Sequence, residues 1–227
     1  MICSSQGKTP CYDKVPLFQH LGSEESSLLA SLLQSRSYHK GEMVVKEGEC
    51  SAKLYMVHQG CVKLSKYAKN GKEHIVRFLF PGDFFGHDAL LHQKPYEVHA
   101  EVLETSTLCT LHRQDFDRLI EHDPMLAYHF LLAVSNLLEQ SEEWNTALSS
   151  MNPEQRIAKL LLNFHMRNME RDGIKLPVFK KDMAMLIGIT PETLSRKLAI
   201  MQSEGLLQVA GNVIYLLQLE ELQQRIQ

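Results

Sequence analysis

A chain of 227 residues is long enough for one large or two modest domains with a sizeable core. Its 24 basic and 27 acidic side chains leave a formal net charge of −3, which excludes a protein that coats nucleic acid without sequence preference. No run of about 18 apolar residues occurs, so no membrane span is expected. The opening MICSSQGKTPCYDK lacks the apolar core of a secretory signal, and a cytoplasmic location is expected. The five cysteines, Cys3, Cys11, Cys50, Cys61 and Cys109, are then thiols by default. Charge is placed unevenly. From Met151 onward there are 10 basic and 8 acidic residues, against 14 and 19 before it, which suits an acidic body with a mildly basic end that meets nucleic acid.

Residues 1 to about 18 carry no regular pattern. A helix is expected within Leu17 to Leu33, capped by Ser23, with Leu28, Leu29, Leu32 and Leu33 at helical spacing. From Tyr38 to His112 short β-rich runs alternate with turn signals: MVVKEG, LYMVHQG, VKLSKY, KNGK, HIVRFLF, PGD, EVLETSTLCTLH. This spacing predicts an antiparallel sandwich or barrel with jelly-roll-like connections. Arg113 to Asp123 reads as a short helix stopped by Pro124. A long helix follows from Met125 to about Ser149, with Phe130, Val134, Leu137, Trp144 and Leu148 near one stripe and Leu131 and Leu138 beside it. That face suits either a coiled-coil seam between two subunits, weakened by Ser141, or packing on the chain's own barrel. Ser149 to Pro153 reads as a hinge, and Pro153 to His165 as an amphipathic helix.

Lys180 to Gly205, KKDMAMLIGITPETLSRKLAIMQSEG, predicts two short helices joined by a tight turn. Met183, Ala184, Ile187, Ile189, Leu194, Leu198 and Met201 repeat at helical spacing on either side of Gly188. Gly188 suits the positive φ of a sharp turn, Thr190 suits an N-cap and Pro191 a first helical position. The second helix then offers Glu192, Thr193, Ser195 and Arg196 on its polar face, with Lys197 and Lys180 as further cationic candidates. Arg bonds guanine bidentately and Glu accepts from cytosine, so the set suits a helix that reads bases in the major groove. The bland alternative is a helical hairpin with a solvated face. Leu206 to Leu217, LLQVAGNVIYLL, predicts a hairpin around Ala210-Gly211-Asn212, which completes a winged helix-turn-helix. This wing has no Lys or Arg, so a weak contact with phosphates is expected.

The order barrel, long helix, winged helix-turn-helix resembles the CRP/FNR superfamily of bacterial transcription regulators over residues 15 to 220. The resemblance rests on Gly41 to Gly48, LYMVHQGCVKL, Asn70-Gly71, FPGDFFG at Phe80 to Gly86, LETSTLC at Leu103 to Cys109 and ETLSR at Glu192 to Arg196. It implies an α+β fold: a sensor β-barrel over residues 1–122, a dimerisation helix and hinge over 123–150, and a DNA-binding domain over 151–227. It implies a homodimer on a two-fold-related double-stranded DNA site and contact with RNA polymerase. The ETLSR segment resembles the Glu-Thr-x-Ser-Arg of FNR-type members, which implies TTGAT-like half-sites as an inverted repeat. Arg196 would take the guanine, Glu192 the opposite-strand cytosine, and Ser195 a neighbouring base.

In cyclic-AMP receptors a Glu holds the ribose and an Arg the cyclic phosphate. Here His87 stands at the first position and Glu97 at the second. A carboxylate repels a phosphate, so cyclic AMP is not expected. FNR-type members hold an iron–sulfur cluster with four cysteines, of which Cys3, Cys11 and Cys109 match only three; a cluster needs a foreign fourth ligand. The resemblance to FNR-like proteins of Gram-positive bacteria implies instead a thiol–disulfide switch pairing Cys11 or Cys3 with Cys109, although Cys109 among apolar neighbours also suits a simple core position. His74, His87, His92, His99 and His112 admit a metal or haem, without the tight spacing of a metal motif. A ligand-independent regulator and a cupin-like barrel enzyme are the remaining alternatives. The enzyme reading lacks an HxH motif and leaves the winged helix unexplained. No resident cofactor is expected.

Overall fold

The computed structural model describes residues 12–167, 174–175 and 180–226. The chain divides into two compact units, residues 1–138 and 139–227. Each is described by itself.

The first unit opens with a single 3-10 turn, Pro16–Phe18, followed by helix α1, Ser23–Leu32. Ser23 is not the cap expected of it. Gly22 occupies the N-cap position in extended conformation and no side chain caps the helix. Eight strands follow: β1 Gln34–Tyr38, β2 Met43–Val45, β3 Lys53–Gln59, β4 Val62–Tyr67, β5 Glu73–Leu79, β6 Phe84–Phe85, β7 His99–Val102 and β8 Ser106–His112. They form two four-stranded sheets, β1-β8-β3-β6 and β2-β7-β4-β5, all pairings antiparallel. The arrangement is jelly-roll-like, and it is a two-sheet sandwich rather than the closed barrel that was one of the expectations. Helix α2, His87–His92, links β6 to β7.

In the β1-β8-β3-β6 sheet, strands β3, β6 and β8 are buried along most of both faces, while β1 is largely exposed. Tyr55, Val57, Phe85 and Leu108 point into a core shared with Val62, Leu64, Leu79, Ala100 and Val102 of the opposite sheet. Their chain neighbours Leu54, Met56, Phe84, Cys109 and Leu111 point the other way, into a second core. That second core is completed by Leu17, Phe18, Leu29 and Leu33, by Phe116 and Leu119 of helix α3 (Arg113–His122), and by Leu126, Phe130 and Ala133 of helix α4 (Met125–Ser150). Strands buried on both faces read as continuous apolar runs, as LYMV and FF do here.

The first half of α4 resolves the stripe proposed from sequence. Phe130 is buried, and Val134 and Leu137 pack against the same core. Tyr128, Leu131 and Leu138 lie on the other side and are 52%, 65% and 60% exposed. Residues 126, 130, 133 and 137 share one face of a 3.6-residue helix, and 128, 131, 135 and 138 share another. Leu131 and Leu138, placed beside the Phe130 stripe by their spacing, therefore belong to a separate exposed stripe.

The second unit contains the remainder of α4, helix α5 (Pro153–Arg167), strand β9 (Ile174–Lys175), helices α6 (Lys180–Leu186) and α7 (Pro191–Ser203), strands β10 (Leu207–Ala210) and β11 (Val213–Leu216), and helix α8 (Leu219–Arg225). The hairpin lies where it was expected, with Ala210 paired to Val213. The short strand β9 adds to it as a third strand, pairing Ile174 with Ile214.

Phe116 is 2% exposed and its ring lies 4.9 Å from that of Phe130. Phe116→Ala is expected to lower the unfolding free energy by about 3–5 kcal/mol, read as a fall in the urea midpoint with unchanged slope. A loss below about 1 kcal/mol would mean that this core is not packed as described.

Candidate nucleic-acid interface

The α6–turn–α7 segment is built by chemistry at helix ends. Helix α6 has seven residues and α7 has 13, too short to persist alone. Gly188 has φ +67°. Its N–H donates to Met185 O at 3.2 Å, and Ile189 N–H donates to Ala184 O at 3.0 Å. This paired arrangement closes a helix on a left-handed residue. Thr190 then caps α7: its Oγ1 accepts from Thr193 N–H at 3.2 Å, with Pro191 at the first helical position. Helix α7 ends the same way as α6, with Gly205 at φ +77°. There Gly205 N–H donates to Gln202 O and Leu206 N–H to Met201 O, both at 3.0 Å.

The apolar positions behave as the spacing predicted. Met183, Ala184, Ile187, Leu194, Leu198 and Met201 are all buried, and Ile189 is half-buried. Helix α5 braces the pair. Asn152 Oδ1 accepts from the N–H groups of Glu154 and Gln155 at 2.9 and 3.1 Å, and Gln155 Oε1 accepts in return from Asn152 N–H at 3.0 Å, a reciprocal cap. Arg156 Nη1 donates to Ile187 O at 2.7 Å, at the turn that follows α6.

The polar candidates separate into two groups. Glu192, Ser195 and Arg196 are exposed along one side of α7, and Lys180 is exposed at the start of α6. Glu192 accepts hydrogen bonds from its own backbone N–H and from the Thr190 side chain, which hold its carboxyl below the usual range. It is therefore ionised at neutral pH, as an acceptor must be. Thr193 is half-buried, with its hydroxyl turned to Thr190 at 3.1 Å. Lys197 is turned away from the exposed set: its Nζ lies 3.1 Å from Glu154 Oε2. Arg225 of α8 meets the other oxygen of Glu154 at 2.6 Å, and also Glu204 at 2.8 Å and Glu221 at 3.2 Å. This five-residue cluster was not seen in the sequence. Its members are far apart along the chain, and α8 has little apolar pattern to announce it. The wing tip, residues 208–212, is largely exposed and carries no charge.

In the first unit the two pocket candidates are differently placed. His87 begins α2, half-buried, with its ring edge against Phe84 and its Nε2 3.7 Å from Asp88 Oδ2. Burial pushes its imidazole below the ordinary range, so it is neutral at pH 7. Glu97 is exposed and paired with Lys66 Nζ at 3.2 Å. Within the sandwich interior Tyr55 stacks on Phe85 with ring centroids 4.9 Å apart and meets Tyr96 edge-on at 6.2 Å.

Among the cysteines, Cys109 is fully buried on β8 and disulfide-bonded. Cys50 is an exposed free thiol. Cys61 is a buried one, whose burial pushes its thiol pKa well up. Cys3 and Cys11 lie outside the described residues. Among the described residues the free thiols are thus Cys50 and Cys61, and burial of Cys61 opposes the thiolate form that a cluster ligand needs. Among the described residues no three His, Cys, Asp or Glu side chains converge as a metal site. No described helix is long and apolar enough to cross a membrane.

Comparison with known proteins matches this geometry. The cyclic nucleotide-binding domain family matches residues 35–123, and the Crp-like helix-turn-helix domain family matches residues 155–225. The chain is 29% identical over 204 residues to the fumarate and nitrate reduction regulatory protein of Vibrio cholerae, covering 88% of this chain and 81% of that protein. It is also 29% identical over 202 residues to the cyclic AMP receptor protein of Thermus thermophilus, covering 88% and 91%. Among solved structures, FixK2 from Bradyrhizobium japonicum superimposes with a TM-score of 0.79 at 25% identity, covering 85% of this chain and 96% of that one. A sandwich matched as nucleotide-binding, a capped helix pair with an exposed polar face and these relatives together make one assignment: the chain belongs to the CRP/FNR superfamily of transcription regulators, with a DNA-binding helix-turn-helix in its second unit.

Proposed function

We propose that the protein acts as a homodimer of the FNR-like branch that reads an inverted repeat of TTGAT-like half-sites and contacts RNA polymerase. The observation that carries this reading is the exposed row Glu192, Ser195 and Arg196 on α7. Among the described residues no acidic side chain pairs with Arg196, and Glu192 is ionised. Arg196 is assigned to the guanine, Glu192 to the facing cytosine and Ser195 to a neighbouring base. Lys180, at the start of α6, is assigned to the phosphate backbone. Overall identity does not choose between the FNR and cyclic-AMP receptor relatives, because both stand at 29%. The reading helix and the sensor residues favour the FNR-like branch. Glu97 presents a carboxylate, already paired with Lys66, where a phosphate would need a cation. Cyclic AMP is accordingly not the proposed effector.

The dimer is assigned to the outward face of α4. Tyr128, Leu131 and Leu138 form an apolar row at alternating three- and four-residue spacing, with Ser135 between them. This is the pattern of a two-helix seam.

The signal is assigned to thiols. Cys109 lies in the same core as Phe130 and Ala133 of α4 and as Tyr12, the residue that follows Cys11. A disulfide from Cys109 to Cys11, or alternatively to Cys3, would anchor the N-terminal segment on the core against which α4 packs. It would form by exchange with a small disulfide, which leaves as two thiols while the protein gains one S–S bond.

Three outcomes are expected. Arg196→Ala should weaken operator binding by about 1–3 kcal/mol and relax preference at the guanine, measured by fluorescence anisotropy on matched and single-base-changed duplexes. Equal weakening on every duplex would contradict its role. Joint Leu131→Asp and Leu138→Asp substitution should give monomers in sedimentation velocity; a persistent dimer would displace the interface from α4. Operator affinity should change between oxidised and reduced protein, and Cys109→Ser should abolish that difference. Identical affinity in both states, with the disulfide confirmed by mass spectrometry, would exclude the switch.

A further inference from the structure

Helix α7 needs a fixed angle to present three side chains to base edges, yet it is a 13-residue helix on a small unit. Besides the caps at its ends, α7 is tied to neighbouring helices by an ion-pair cluster centred on one residue. Glu154, the second residue of α5, has its backbone N–H held by Asn152 Oδ1 at 2.9 Å, immediately after α4 ends at Ser150. Its two carboxylate oxygens go to different helices: Oε2 to Lys197 of α7 at 3.1 Å, and Oε1 to Arg225 of α8 at 2.6 Å. Arg225 in turn bonds Glu204, the residue that ends α7. The hydrogen bonds to Lys197 and Arg225 hold the Glu154 carboxyl below its usual range, with Lys197 the larger influence.

We propose that Glu154 is the positioning residue of the reading helix, and that Lys197 serves the orientation of α7 through Glu154 rather than contact with DNA phosphate. The proposal rests on the reading that α7 enters the groove. All three side chains are partly exposed, and such pairs add little to global stability. Their effect is geometric, and small misplacements of a recognition group are costly. The sign of the expected effect separates this role from simple electrostatics. Removing a carboxylate from a DNA-binding domain should strengthen binding to any duplex. Removing a positioning carboxylate should weaken binding to the chosen sequence alone.

The test uses full-length protein and two duplexes of equal composition, a TTGAT inverted repeat and a scrambled version, across a salt series. Glu154→Gln and Lys197→Gln are each expected to weaken binding to the repeat about fivefold, in line with the loss of one partly exposed ion pair. The double substitution should be no worse than either alone. Affinity for the scrambled duplex, the salt slope and the thermal midpoint should stay as in wild type, and Lys197→Arg should behave as wild type. Lys197→Gln weakening both duplexes with a shallower salt slope would overturn the proposal by making Lys197 a phosphate contact. Glu154→Gln strengthening both, or additive effects in the double variant, would overturn it too. If the wild-type protein fails to distinguish the two duplexes, the groove-reading assignment is what fails. Amide hydrogen exchange on DNA-free protein then decides the positioning role by itself. Faster exchange over residues 191–203 and 219–225 in Glu154→Gln supports it, and unchanged exchange overturns it.

Discussion

Three strands of one sheet, β3, β6 and β8, are buried along most of both faces. The β1-β8-β3-β6 sheet buries Tyr55, Val57, Phe85 and Leu108 toward the opposite sheet and Leu54, Met56, Phe84, Cys109 and Leu111 toward helices. A sheet in that position cannot shift register by one residue without exchanging its two cores. Each core is therefore committed to its own partners. One side is filled by the sandwich interior, largely Val, Leu and Ala with Tyr38, Tyr55, Phe85 and Tyr96 among them. The other is shared by α1, α3, α4 and the segment that begins at Tyr12. Cys109 stands on the side shared with α4. This is why the chemistry proposed for one sulfur bears on a helix rather than on the sandwich interior.

The DNA-reading unit follows a different logic. Its helices are short and its sheet has three small strands, so burial alone does not set its geometry. Hydrogen bonds at helix ends do much of that. Gly188 and Gly205 close α6 and α7 in left-handed conformation, Thr190 opens α7 and Asn152 opens α5, and Arg156 spans from α5 to the carbonyl at the turn. Each bond satisfies a group that a helix end otherwise leaves unpaired. The same groups define where the exposed row on α7 points.

Much of this was legible in the chain. The glycine at the turn, the Thr-Pro start of α7 and the apolar spacing around them carried the helix-turn-helix, because each residue type answers to a local backbone demand. The long helix was legible in extent but not in facing. Phe130 and Leu131 are adjacent letters of one apolar alphabet, and only packing tells which side meets the core. Closure of the sandwich was not readable, since it depends on which strand edges pair. The cap at Ser23 failed because Gly22 does the work in extended conformation without a side-chain bond. Strand β9 has two residues and no period to detect. Lys197 looked like Arg196 in sequence, and its turn toward Glu154 is a long-range contact across 43 positions.

The uncharged wing has a consequence for how such a protein spends its time. Leu206 to Leu217 contains no Lys or Arg, and Lys197 is neutralised within the fold. Contact with phosphates supplies nearly all the attraction of a regulator for random DNA. A regulator short of such contacts leaves the bulk chromosome quickly and keeps a large unbound pool. Occupancy of its target then depends less on how much competing genome surrounds it, and few molecules per cell suffice to fill a small number of sites.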